Sequence, residues 1–299
     1  MTTTFDNMVD EVLLNLAGYT MRQDRLTYLT SAVTSTSGLS VGIASVENVA
    51  RGLVEIDEEL LFVDSVNRPS NSLIIAPFGR GYQGTTPATH TINSKVTVAP
   101  TFPRIAVKRA INDTIKAVYP QLWGIGTTTF SYSPAQSTYA LPSEAEGILA
   151  VSFSTTGPTK EWLPIRGWRH DPMANTTSFT SGNTITLYSG VEPGRTVQVT
   201  YSKEASPLVN NSDSFTTVTG LPLSTKDVII YGAAYRLISF VDPSRLTFTS
   251  AEADEADRTK PIGSGSNAAR FIFSLYQQRL QEEAGRLQGK YPVRLHYTR

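Results

Sequence analysis

A chain of 299 residues, 40% of them apolar and 17% charged, can build two or three compact units with their own cores and is neither disordered nor fibrous in composition. Its 26 basic and 26 acidic residues cancel, which argues against a whole-surface grip on nucleic-acid phosphates. The absence of cysteine excludes disulfides, thiolate metal sites and thiol nucleophiles.

Residues 1–10 are polar and acidic, unlike a signal peptide, and no window reaches the roughly 18 apolar residues of a membrane span. Phe5, Val9, Val12, Leu13 and Leu16 recur at helical spacing and predict an amphipathic helix over 4–18 that stops at Gly18. Residues 26–99 read as short strands separated by Gly, Asn and Pro turns, with a hairpin over 52–63 whose turn lies near Asp57, Glu58 and Glu59. Pro103 opens a second helix, striped by Ile105, Ala106, Ala110, Ile111, Ile115 and Val118, which ends at Pro120 and Gly124.

Residues 127–207 form another run of short alternating strands with turns at Gly157-Pro158, Ser181-Gly182-Asn183 and Glu192-Pro193-Gly194, the pattern of a small sandwich or barrel. Two helices follow, over 225–241 and 267–288, separated by an acidic stretch and a Gly-Ser linker at 263–266. Each helix is too short and too one-sided to stand alone in water. The expected fold is therefore α+β: a four-helix bundle-like core carrying two inserted antiparallel β units and an extended C-terminal tail. In this division 1–20 is the N-terminal helix, 21–100 the first β insertion, 101–125 a bundle helix, 126–210 the second β insertion, 211–290 two bundle helices and 291–299 the tail.

No motif for chemistry finds its required context. Gly79-Arg80-Gly81-Tyr82-Gln83-Gly84 fits G-x-G-x-x-G, but a strand follows where a dinucleotide loop needs a helix, so the glycines are expected to serve a turn. His90, His170 and His296 lie far apart with no nucleophile elbow, and His90 is expected to cap or bond its own loop. Asp57, Glu58 and Glu59 read as a solvated hairpin turn, and the acids at 252–257 as a solvated linker able to face a basic patch on an adjacent subunit. No catalytic residue, cofactor or metal is expected.

Contact residues stand out more clearly. Trp162, Arg166, Trp168 and Arg169 lie close together in the second β unit, open to three readings: core aromatics, a protein-contact anchor or a sugar-stacking platform. Of these, Trp168 and Arg169 are taken as partner contacts. In the tail, Tyr291, Val293, Leu295 and Tyr297 alternate with polar residues, and Pro292 stops the preceding helix. This pattern suits strand addition to a partner, with Arg294 and Arg299 adding charge-assisted contacts.

The stretch 28–98 resembles a small β module recurrent in structural proteins of tailed bacteriophages. The likeness runs through Gly52-Leu53-Val54-Glu55-Ile56-Asp57-Glu58-Glu59-Leu60-Leu61-Phe62-Val63 and closes on Arg80-Gly81-x-x-Gly84-Thr85-x-x-Ala88-x-His90 before a Val-rich strand. With the surrounding helices and tail, the whole plan resembles the head-to-tail adaptors of long-tailed phages. That resemblance implies a structural virion protein of the neck, assembled in the host bacterial cytoplasm, away from any membrane. It implies a twelve-fold ring lining a channel for transient DNA passage. Its implied partners are the portal protein, neighbouring copies and a downstream connector or tail-completion protein. Two other readings stay open: a tail or baseplate protein sharing the module, and a carbohydrate-binding β protein of host recognition.

Overall fold

The computed structural model describes residues 3–18, 24–156, 159–188, 190–239 and 264–291. Among them, thirteen strands fall into three antiparallel sheets of six, four and three strands. Chain contacts divide the protein into one compact unit of residues 1–8, 112–232 and 272–299 and another of 9–111 and 233–271.

The second of these units contains the six-stranded sheet, formed by β1 (Arg25–Tyr28), β2 (Ser40–Gly42), β3 (Gly52–Ile56), β4 (Glu59–Asn67), β5 (Ser72–Ile75) and β6 (Lys95–Val98) in the order β1-β6-β3-β4-β5-β2. The outer strands then meet. Leu29 bridges Ile43, Thr30 donates to the Gly42 carbonyl at 3.1 Å, and Ala44 donates to Tyr28 at 3.0 Å. The sheet is thus a closed small barrel, an arrangement that leaves no open edge. Alternation turns Val41, Val54, Ile56, Leu61, Val63, Leu73, Ile75, Val96 and Val98 into one apolar interior.

The first unit holds a sandwich. Strands β7 (Gly124–Ser131), β9 (Gly147–Ser154), β10 (Trp162–Pro164) and β13 (Thr196–Lys203) make one sheet in the order β10-β9-β13-β7. The strands β8 (Thr138–Ala140), β11 (Trp168–Asp171) and β12 (Thr184–Leu187) make the other, in the order β11-β12-β8. Both sheets contribute to one core, including Tyr139, Val151, Ile185, Leu187, Val197, Val199 and Tyr201.

Among the described residues the α-helices are α1 (Phe5–Ala17), α2 (Arg104–Ala117), the short α3 (Phe215–Thr219), α4 (Lys226–Ile238) and α5 (Ser264–Lys290). Here the sequence expectation is corrected: the chain is not organised around a four-helix bundle-like core. Each β unit closes over an apolar interior of its own, so neither needs a helical platform to bury its strands. The expected Gly-Ser linker also fails in part, because α5 already begins at Ser264.

Candidate interaction surfaces

The motif that ends at His90 surrounds a single buried carboxylate. Strands β3 and β4 pair from Gly52↔Val63 to Ile56↔Glu59, leaving Asp57-Glu58 as a two-residue loop with Asp57 at φ 53°. Glu59, the first residue of β4, is fully buried. Its Oε1 accepts from Arg80 Nε (2.7 Å) and the Gly81 amide (2.9 Å). Its Oε2 accepts from Arg80 Nη2 (2.9 Å), the Ala88 amide (3.0 Å) and His90 Nε2 (2.9 Å). Arg80 also donates to the carbonyls of Ser35, Gly38 and Ala88.

Every specific position of the motif has a use. Gly81 and Gly84 sit at φ 60° and 82°, where a side chain is strained, and Thr85 Oγ1 accepts from Leu60 N at 3.1 Å. The glycines therefore serve a turn. Glu59 corrects the reading of a solvated acidic turn: only Asp57 and Glu58 face solvent, and they engage His90 (2.8 Å) and Lys108 (2.6 Å). His90 likewise reaches beyond its own loop, to the β3–β4 hairpin.

Both ring nitrogens of His90 lie at hydrogen-bond distance from a carboxylate oxygen, an arrangement that favours the protonated imidazole. The hydrogen bond to Glu59 is the main cause raising its pKa above 6.5, against the opposing effect of burial. Burial alone would push Glu59 up, but the hydrogen bonds from His90, Arg80 and the Ala88 and Gly81 amides outweigh it and hold the carboxyl at about 2. A third group in this unit moves the other way. Glu55, buried on β3, accepts the Arg104 amide at the start of α2 (2.7 Å), yet burial raises it to about 7.

These shifts fix the sign of a pH dependence. The Glu59 contribution is present above its ordinary 4.5 and is lost as pH falls toward 2. The His90 contribution is present below 6.5 and is lost as pH rises through its raised folded value. Glu55 favours the fold below 4.5, and that gain disappears between 4.5 and about 7. Barrel stability is therefore expected to peak near pH 4.5–5. Amide exchange in β3 and β4 across pH, corrected for intrinsic rates, measures this, and Glu55→Gln is expected to flatten the decline between 4.5 and 7.

In the sandwich, the Trp–Arg group separates into two roles. Trp168 is half-buried, pairs with Leu187 and packs against the core. Arg169 beside it is exposed, as is Arg166, and neither makes an ion pair among the described residues. Trp162 lies on the edge strand β10 opposite Ser154 and remains 44% exposed, next to exposed Leu163. Tyr188, 59% exposed, is tied to the same turn by its amide, which donates to the Gly167 carbonyl at 2.8 Å. Sequence reasoning missed Tyr188 because only the sandwich topology brings the end of β12 to the β10–β11 turn.

Of the tail candidates, Tyr291 is half-buried at the end of α5, its amide donating to the Leu287 carbonyl at 3.0 Å. Val293, Arg294, Leu295, Tyr297 and Arg299 lie outside the described residues. No described helix is long and apolar enough to cross a membrane.

Residues 88–294, more than half of the chain, match the model of the SU10 adaptor protein family. The chain belongs to the SU10 adaptor protein family. It is thus an adaptor-type structural protein of a phage, and such a role implies contact with other phage structural proteins. No curated protein matches it. The SU10 adaptor match begins at the end of the Arg80–His90 motif and leaves out most of the barrel. It covers α2, the sandwich and the later helices, so the exposed Trp162–Arg169 edge lies in the part shared with the family.

Proposed function

We propose that this SU10 adaptor family member acts as a head-to-tail adaptor, forming a ring that joins the portal to the next protein of the neck and lines the DNA channel. The family match over 88–294 carries this reading. The protein works by assembly, not catalysis: its most elaborate polar cluster, around Glu59, is consumed by internal hydrogen bonds. The exposed Trp162, Arg166, Arg169 and Tyr188 provide the residue types that dominate protein-contact energetics. Docking of residues 291–299 on a neighbour or on portal completes the joint, through apolar alternation and the charges of Arg294 and Arg299.

Mass photometry of the full chain, alone and with portal protein, tests the role. Portal-bound multimers are expected. Deleting residues 292–299 is expected to weaken portal binding at least tenfold while leaving the circular dichroism spectrum unchanged. A protein that ignores portal at micromolar concentration is not a neck adaptor. Unchanged portal binding by the truncated chain removes the tail from the contact.

A further inference from the structure

The sandwich carries two unlike charged surfaces, each with side chains that form no ion pair among the described residues. At one end, Glu146 precedes β9, its amide donating to the Ser202 carbonyl at 2.9 Å, and Glu204 follows the end of β13. The two exposed carboxylates lie close enough that, after the effect of burial, both raise the pKa of the Tyr119 hydroxyl. The nearby cation, Lys203, is engaged by Glu144 at 3.2 Å. Neither Glu146 nor Glu204 forms an ion pair among the described residues. Two like charges kept together without a cation cost free energy, and a cation from outside would offset that cost.

The second surface is the β10–β11 edge. Arg166 and Arg169 stand exposed and unpaired among the described residues, flanking Trp162, Leu163 and Tyr188. Lys160 and Glu161 beside Trp162 offset one another, and Asp171 at the end of β11, which accepts from the Met173 amide, offsets only one of the two arginines, so the edge stays positive. Trp162 faces Ser154 at one end of the eight-residue β9, whereas Glu146 adjoins Gly147 at the other, roughly 23 Å away at about 3.3 Å per residue. Complementary charges on two different faces of one compact unit fit a heterologous contact, in which the face of one copy meets the other face of the next.

We infer that the Trp162–Arg166–Arg169 edge of one copy docks on the Glu146–Glu204 end of the next, making the repeating contact of the assembly. The inference rests on the ring reading and specifies its interface. The aromatic side chains supply apolar burial, and the two arginine–glutamate pairs set direction and register. Because all four charges sit on exposed positions, reversing them leaves the sandwich core untouched.

The test uses two full-length variants, Arg166→Glu with Arg169→Glu, and Glu146→Arg with Glu204→Arg, each checked for a wild-type circular dichroism spectrum. Either alone places like charges across the contact. Each is expected to raise the dissociation constant for self-association at least tenfold, measured by mass photometry with and without portal protein. An equimolar mixture makes every contact complementary again and is expected to restore wild-type multimers, less so at high salt. If a variant does not fold, Arg166→Ala with Arg169→Ala or Glu146→Gln with Glu204→Gln replaces it, with a smaller but same-direction loss. Wild-type multimers alongside variants that assemble equally well overturn this contact and leave the ring reading intact. A wild-type chain that stays monomeric even with portal overturns both.

Discussion

Glu59→Ala is expected to cost the barrel about 3–5 kcal/mol, the range seen when one partner of a buried ion pair is removed. The loss goes beyond the carboxylate itself. Arg80, with its side chain only 6% exposed, would keep its charge in the interior with three carbonyls as its remaining partners. The half-buried amides of Gly81 and Ala88 would also lose their acceptor, which is part of that loss. Glu59→Gln keeps the shape, but its amide nitrogen cannot accept, so an intermediate loss is expected. Urea titration followed by amide exchange in β3, β4 and residues 79–91 locates the effect. A uniform loss over both compact units, or none, would contradict the local role assigned to Glu59.

Gly232→Val is expected to destabilise the other unit by about 2–3 kcal/mol through overpacking. Gly232 is buried in α4, and a Cβ placed there would come within 2.4 Å of Thr114 Cγ2 on α2 and 3.0 Å of the Tyr276 ring on α5. Thr114 is fully buried. Even Gly232→Ala, which gains up to about 1 kcal/mol of helix propensity, is expected to lose on balance. The control is Gly285→Ala on α5, where a Cβ meets nothing within 4 Å, and a gain of about 0.5–1 kcal/mol follows from propensity alone. Denaturation midpoints of the three variants rank these effects. A stabilised Gly232→Ala would refute the close packing of α2, α4 and α5 at this point.

The two β units differ in how they reveal themselves. The barrel shows a compact signature because one carboxylate demands many partners: Arg80, Gly81, Ala88 and His90 lie within eleven residues as the groups that satisfy Glu59. The signature was readable while its chemistry was not, since Glu59 stands between exposed acids and burial cannot be read from composition. Glu55 was likewise invisible as a titrating group, because its environment is made by the approach of α2.

The family match falls on the other part of the chain, from the end of that signature through the sandwich and later helices. This agrees with reading the chain as an adaptor-type protein from elements outside the β module. It also explains why one motif, however specific, was an incomplete guide. A barrel that closes over its own core is a portable unit and need not report what its neighbours do.

By itself, the sequence determined the local elements. Periodicity placed α1, α2, α4 and most of α5, and alternation with turn residues placed the β3–β4 hairpin and the two strand-rich runs but not β1, β8, β10 or β11, because both signals depend on neighbours within a few positions. It also determined which residue types were available for contact, among them Trp162, Arg166 and Arg169. Only the tertiary structure decided which elements carry the cores. Helical stripes and strand alternation both announce an apolar face, but neither says what that face will meet, and here the strands met one another. The same long-range pairing buried Glu59, half-buried Trp168 while leaving Trp162 exposed, and set Glu146 and Glu204 at the end of β9 away from Trp162. Those placements depend on residues tens of positions apart in sequence, where local patterns carry no information.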